Sequence, residues 1–212
     1  MLEAENITYK YKKNRRVILD SLSFTLEDGT FAAVTGESGS GKSTFLAVMA
    51  GILKPLSGSV KFNGRDLYSL SDRELSVIHR SGISYVPQSN IMLKNLTVIE
   101  NIITPCGSED LKDRAGELMD ALGIRDLADS FPYELSGGEL KRASIVRAVL
   151  RSPKVVIADE PTTGLDKETG KRILGFLSEY TGEGNSVLVA THDGQIEGYA
   201  EKILNIKREK TT

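Results

Sequence analysis

Gly36 to Thr44 read G-E-S-G-S-G-K-S-T, and the fold follows from how that stretch is read. It fits the phosphate-binding pattern G-x-x-x-x-G-K-[ST], with Gly36 and Gly41 at the glycine positions, then Lys42 and Ser43. Phe31-Ala32-Ala33-Val34-Thr35 precedes it with strand character, and Phe45 to Ala50 follows with helical spacing, Gly51 being the expected stop. Strand, glycine-rich turn and helix are the context the pattern requires. Glycines let backbone N–H groups converge on a phosphate, and the helix points its positive end at it. Lys42 is then expected on the β- and γ-phosphates, with the Ser43 hydroxyl on Mg²⁺.

Outward from the loop, strand and helix signals alternate. Ile7 and Tyr9, then Leu22, Phe24 and Leu26, alternate as strands on either side of a connection at Asn14-Arg15-Arg16, and Ser59 to Phe62 is another strand closed by Asn63-Gly64. Tyr11 continues the first alternation and, on pattern alone, reads as core or strand surface. Ser71 to Arg80 reads as a polar surface helix whose His79 is solvated. Ile83 to Val86 is a strand that stops at Pro87. A helical section follows: Thr97 and Glu100 form a capping box, and Leu111, Ala115, Leu118, Met119 and Leu122 share one apolar face that Gly123 ends. Leu140 to Leu150 is a further helix; Val155 to Ala158, Ser186 to Thr191 and Ile203 to Ile206 are strands, with a helix over Lys167 to Tyr180. The expectation is an α/β protein with a mixed, largely parallel central sheet, an N-terminal antiparallel β part and an inserted helical lobe.

Four of these strands hand over to polar residues at their C-terminal ends: Thr35 to Gly36, Val86-Pro87 to Gln88, Ala158 to Asp159-Glu160, and Ala190-Thr191 to His192. In an open α/β sheet ligands bind outside the carboxyl ends of the strands, so parallel, adjacent strands would bring all four to one triphosphate. Asp159, after four apolar residues, suits an acid of the Mg²⁺ shell, and Glu160 can accept a proton from water attacking the γ-phosphate. His192 can bridge the γ-phosphate and Glu160; taken alone, a buried structural histidine fits as well. Leu135-Ser136-Gly137-Gly138-Glu139 runs into the helix at Leu140. Ser136 and Glu139 are a capping box, and the glycine pair exposes backbone N–H groups as a second anion site, suited to another molecule's nucleotide.

Composition narrows the classes. With 27 Lys and Arg against 29 Asp and Glu the net charge is -2, which leaves no electrostatic footprint for nucleic acid. A lone cysteine, Cys106, excludes an intrachain disulfide and reads as a small buried hydrophobe. The acidic start lacks a signal peptide's features, and the longest apolar run, Phe45 to Leu53, is nine residues, short of a bilayer span. A cytoplasmic protein is expected, with any membrane role supplied by a partner. The polar tail Lys207 to Thr212 is expected to fray.

The phosphate loop, Gln88, LSGGE at 135–139, V-V-I-A-D-E-P-T-T-G-L-D at 155–166 and T-H-D ending at Asp193 together resemble the ATP-binding cassette (ABC) ATPases, in that family's order and spacing across the chain. The resemblance implies one domain over 1–212, a P-loop NTPase in which 1–88 and 151–212 form a RecA-like core with the β part and 89–150 the helical signature lobe. It implies ATP and Mg²⁺, and a head-to-tail homodimer or paired cassette enclosing two ATP. Nucleotide contacts then fall on Tyr11 (stacked on adenine), on Gly36, Ser38, Gly39, Ser40, Gly41, Lys42, Ser43 and Thr44, and across the dimer on Ser136, Gly137, Gly138, Glu139 and Asp166. Metal contacts fall on Ser43, Gln88 and Asp159; catalysis falls on Glu160, His192, Lys42 and Gln88. Glu139 departs from the family's usual glutamine and places a carboxylate near the partner's nucleotide.

The chain ends just after the last expected strand, so no appended regulatory domain is expected, and Asp129 to Glu134 lacks the loop typical of fused multidrug exporters. It looks like the stand-alone ATPases of macrolide export, lipoprotein release, antimicrobial-peptide export and bacterial cell division. These sit on the cytoplasmic membrane face and act on a separately encoded membrane permease, whose coupling segment would dock near Gln88 to Leu96 on Ile91, Met92 and Leu93. The alternatives are an ATPase driving a non-transporting membrane complex and, less favoured, a soluble ABC protein.

Overall fold

The computed structural model describes residues 1–11, 16–89, 91–107 and 109–207. The connection at 14–15, the side chain of Cys106 and the tail from 208, for which the sequence raised expectations, lie outside the described residues. The elements in chain order are β1 (Leu2–Tyr9), β2 (Leu19–Leu26), β3 (Phe31–Thr35), α1 (Lys42–Met49), β4 (Ser57–Phe62), β5 (Arg65–Asp66), α2 (Asp72–Ser81) and β6 (Ile83–Val86). Then come α3 (Val98–Ile103), α4 (Lys112–Ala121), α5 (Gly137–Val149), β7 (Val155–Asp159), α6 (Lys167–Gly182), β8 (Ser186–Ala190) and β9 (Lys202–Asn205).

The expected mixture of strand directions resolves into two sheets. One is antiparallel, in the order β2-β1-β4-β5; the other is five-stranded, in the order β6-β7-β8-β3-β9, with every pair parallel. The strands with polar ends, β6, β7, β8 and β3, are therefore adjacent and parallel, as the single-site argument required. Both faces of this sheet are covered, which is why its strands read as continuous apolar runs. Phe31, Ala33, Val156, Ala158, Val187 and Val189 face a core shared with α3 to α6. Ala32, Val34, Ile157, Leu188 and Ala190 face the other, shared with α1 and the antiparallel sheet.

Local chemistry sets the helix starts. Ser71, Thr97 and Ser136 are N-caps of α2, α3 and α5, each with a capping box closed by Glu74, Glu100 and Glu139. In α5 the cap outweighs the poor helix propensity of the glycine pair, so the helix starts at Gly137, ahead of the expected Leu140. His79 is exposed but not merely solvated: its Nε2 lies 2.7 Å from the Ala50 carbonyl oxygen and ties α2 to the end of α1.

Candidate nucleotide site

The phosphate loop joins β3 to α1, and its backbone is fixed by close approach. Gly36 has φ 148, and a Cβ there would stand 2.3 Å from the Ile206 main-chain oxygen. Gly41, with φ 106, starts the helix in the left-handed region that only glycine adopts cheaply. Lys42 is 7% exposed, and its Nζ donates to the main-chain oxygens of Gly36 at 2.8 Å and Glu37 at 3.2 Å. The loop thus holds its own lysine over a cradle of N–H groups at a helix N-terminus, an anion site.

A cavity of about 670 Å³ opens above this loop. Tyr11, Ser38, Gly39, Gly41, Lys42, Ser43, Thr44, Gln88, Glu160 and His192 line it, together with Ile18. The residues at the ends of four strands do converge. Tyr11 is held by a 3.0 Å hydrogen bond between its hydroxyl and Thr44 Oγ1 and by an edge-on contact with Tyr9. Ser40 is buried in the loop, its hydroxyl without a hydrogen-bond partner.

Glu160 is the most constrained side chain here. It adopts φ 50, a left-handed conformation that costs a non-glycine residue roughly 1–2 kcal/mol. Its amide donates to the Ala190 carbonyl at 2.9 Å, which holds that turn against β8. Its carboxylate accepts from Thr163 Oγ1 at 2.6 Å, has His192 Nδ1 at 3.0 Å and pairs with Lys42 Nζ at 3.8 Å. His192 is mostly exposed, so the buried structural reading of this histidine does not hold. Asp159 is buried, and burial pushes its pKa up; a hydrogen bond from Ser43 and the charges of Lys141 and Lys42 pull it back. Its Oδ1 is buried with no hydrogen-bond partner.

The second constellation stands apart from this cavity. Ser136 and Gly137 are exposed, and the Ser136 hydroxyl donates to Glu139 Oε2 at 2.7 Å. Gly138 packs so closely on Leu165 that a Cβ would lie 3.2 Å from Leu165 Cδ2. Asp166, next in sequence, caps α6 through the amides of Glu168 and Thr169, which lower its pKa. The segment from Gln88 to Leu96 leaves Ile91 and Leu93 exposed, whereas Met92 turns onto the core.

Sequence reading missed three contributors: Thr163, which holds Glu160; Asn101, whose side chain bonds the backbone at Leu93, Leu96 and Thr97; and Lys141, whose Nζ donates to the Gln88 carbonyl at 2.7 Å. The only available signal was a polar residue recurring on an otherwise apolar helix face, as at Lys141 and Ser144 of α5.

Residues 19–163 match the ABC transporter family. An uncharacterized ABC transporter ATP-binding protein of Mycobacterium tuberculosis is 36% identical over 94% of this chain and 83% of its own. The lipoprotein-releasing system ATP-binding protein LolD of Blochmanniella floridana is 35% identical over 92% of this chain and 86% of its own. Among solved structures, the ATP-binding cassette MJ0796, a dimer in a post-hydrolysis state bound to ADP and Pi, superposes with a TM-score of 0.91 at 30% identity, covering 99% of this chain and 97% of that one. With the phosphate loop, the carboxylates and the LSGGE helix placed as described, the chain belongs to the ABC transporter family, as one of its ATP-hydrolysing nucleotide-binding cassettes.

Proposed function

We propose that this cassette pairs head-to-tail with a second one around two Mg-ATP, and that closure drives a separately encoded membrane protein that exports or extracts a peptide, lipid-linked or drug-like molecule. One observation carries the pairing: Ser136 to Gly138 is an anion site by chemistry, with Ser136 and Gly137 exposed, and it stands outside the lining of the cavity above the phosphate loop. A second copy turned about a two-fold axis brings its own Ser136 to Gly138 to that loop. That the MJ0796 cassette is a dimer supports pairing.

Within each site, Lys42 and the loop amides neutralise the β- and γ-phosphates, and Tyr11 offers its ring to the adenine. Ser43, Gln88 and Asp159 are an all-oxygen donor set suited to Mg²⁺, and the unpartnered Oδ1 of Asp159 fits a cation that relieves its burial. A Mg²⁺ held by these residues would supply charge neutralisation for the phosphates. Glu160 takes the proton of the attacking water, a role worth about 10²–10⁴ in rate, and His192 orients it. Ser136, Gly137 and Gly138 of the partner cassette stabilise the γ-phosphate charge, with Asp166 at the same dimer interface.

Among the described residues no helix is long and apolar enough to cross a membrane, and in this reading the membrane work belongs to the separate protein. Ile91 and Leu93 beside Gln88 offer that partner an apolar hold on the cytoplasmic face. The likeness to LolD supports export or extraction. In this reading 89–150 moves as a lobe against a core built from 1–88 and 151–212. The test is a pull-down from native membranes with tagged Glu160→Gln protein, ATP and Mg²⁺. Copurification of a membrane permease is expected; an ATP-trapped dimer that brings down no membrane protein would overturn the membrane role.

A further inference from the structure

Four charged side chains are buried among the described residues, and they balance at one place: Lys42 and Lys141 against Asp159 and Glu160. Lys42 belongs to the phosphate loop. Lys141 belongs to α5, one turn beyond Ser136, and has no role in the mechanism above. It is 4% exposed, a burial that lysine rarely tolerates without a partner. Packing alone does not call for it, because an apolar side chain of similar volume would fill the space without the cost of burying a charge.

Its ammonium donates to the main-chain oxygen of Gln88 at 2.7 Å. Six residues on, Arg147 Nη1 donates to the Ile91 carbonyl at 2.7 Å, so α5 holds both ends of the segment from 88 to 91. The Gln88 side chain itself is exposed to the nucleotide cavity. Burial lowers the pKa of Lys141, and the charges of Asp159 and Glu160 oppose that shift.

We propose that Lys141 is a positioning residue for hydrolysis, fixing the Gln88 main chain to the first turns of the helix whose N-terminus meets the partner's nucleotide. A displacement of α5 on closure then carries Gln88 with it. The Gln88 main chain and the Ser136 to Gly138 clamp are then set by one rigid element. The inference rests on the assignment of Gln88 and Glu160 to the reaction.

The experiment is a double-mutant cycle on the full chain, with Lys141→Met, Gln88→Ala and both together, measuring kcat and KM for ATP and the melting temperature. Expected are a fall in kcat of about 10- to 100-fold for Lys141→Met, the scale of a misplaced catalytic group, and a KM for ATP within about twofold of the parent. The double variant should be no slower than the slower single one, and the melting temperature should not fall. Lys141→Gln, which keeps a donor without the charge, carries the same cycle if the methionine variant does not fold. Additive losses, parental kcat in Lys141→Met, or an equal loss of kcat and ATP affinity would overturn the tether. If Gln88→Ala and Glu160→Gln themselves turn over normally, the underlying site assignment fails instead.

Discussion

His192 Nδ1 lies 3.0 Å from the Glu160 carboxylate, and Lys42 Nζ approaches the same group at 3.8 Å. Glu160 is thus held between the buried Lys42 ammonium and an exposed imidazole. His192→Ala should leave ATP binding intact and lower kcat by roughly 10²-fold, the scale of one misaligned proton acceptor. Stopped-flow phosphate release alongside equilibrium nucleotide binding checks this; a parallel rise in the dissociation constant for ATP would make His192 a binding residue.

Asp159 carries a pH signature of a different kind. Burial raises its pKa, so the folded chain holds this proton to higher pH than the unfolded chain does. Stability without nucleotide therefore falls as pH rises from the usual aspartate range through the raised value. Asp159→Asn should remove that slope and melt higher near neutral pH, by roughly 2–4 °C for each kcal/mol recovered in a chain of this size. The same variant should lose the extra stabilisation that Mg²⁺ adds to ATP. Melting curves from pH 4 to 8, with and without Mg-ATP, decide it.

Glu139 binds the hydroxyl and amide of Ser136, both at 2.7 Å, and these bonds lower its pKa. Its cap is in place above the ordinary glutamate range and is lost as pH falls through the lowered value. In the proposed closed dimer its charge would also face the partner's phosphates. Glu139→Gln should keep the cap acceptor, remove the repulsion and tighten the ATP-bound dimer by a few-fold, on the order of 1 kcal/mol. Sedimentation in the Glu160→Gln background measures it, and an unchanged or weaker dimer refutes it.

How far the sequence carried depends on how local the cause was. Capping boxes at Thr97 and Ser136 involve residues three apart, so they were legible before any packing was known. Apolar runs such as Val155 to Ala158 suit strands covered on both faces, but their parallel adjacency entered the sequence reading only as a condition, because strand order is set by distant pairing. Lys141 was hidden because a lysine on a helix reads as solvated, and only the approach of β6 buries it against Gln88. Met92 and His79 were misplaced for the same reason: the partners that turn them, the helical core and the Ala50 carbonyl, are distant in sequence.

In the proposed dimer, one cassette's Ser136 to Gly138 completes the site on another's phosphate loop. Two inactive variants test it together. Lys42→Ala disables the loop, and Gly137→Glu puts a carboxylate at the clamp, where an added Cβ meets nothing within 4 Å. Mixed in equal amounts, they form hybrid dimers that hold one site with an intact loop and an intact clamp. ATPase activity should recover to about one quarter of the parent, since half the dimers are hybrids and each has one working site of two. No recovery at concentrations where hybrids are shown to form would contradict the shared site.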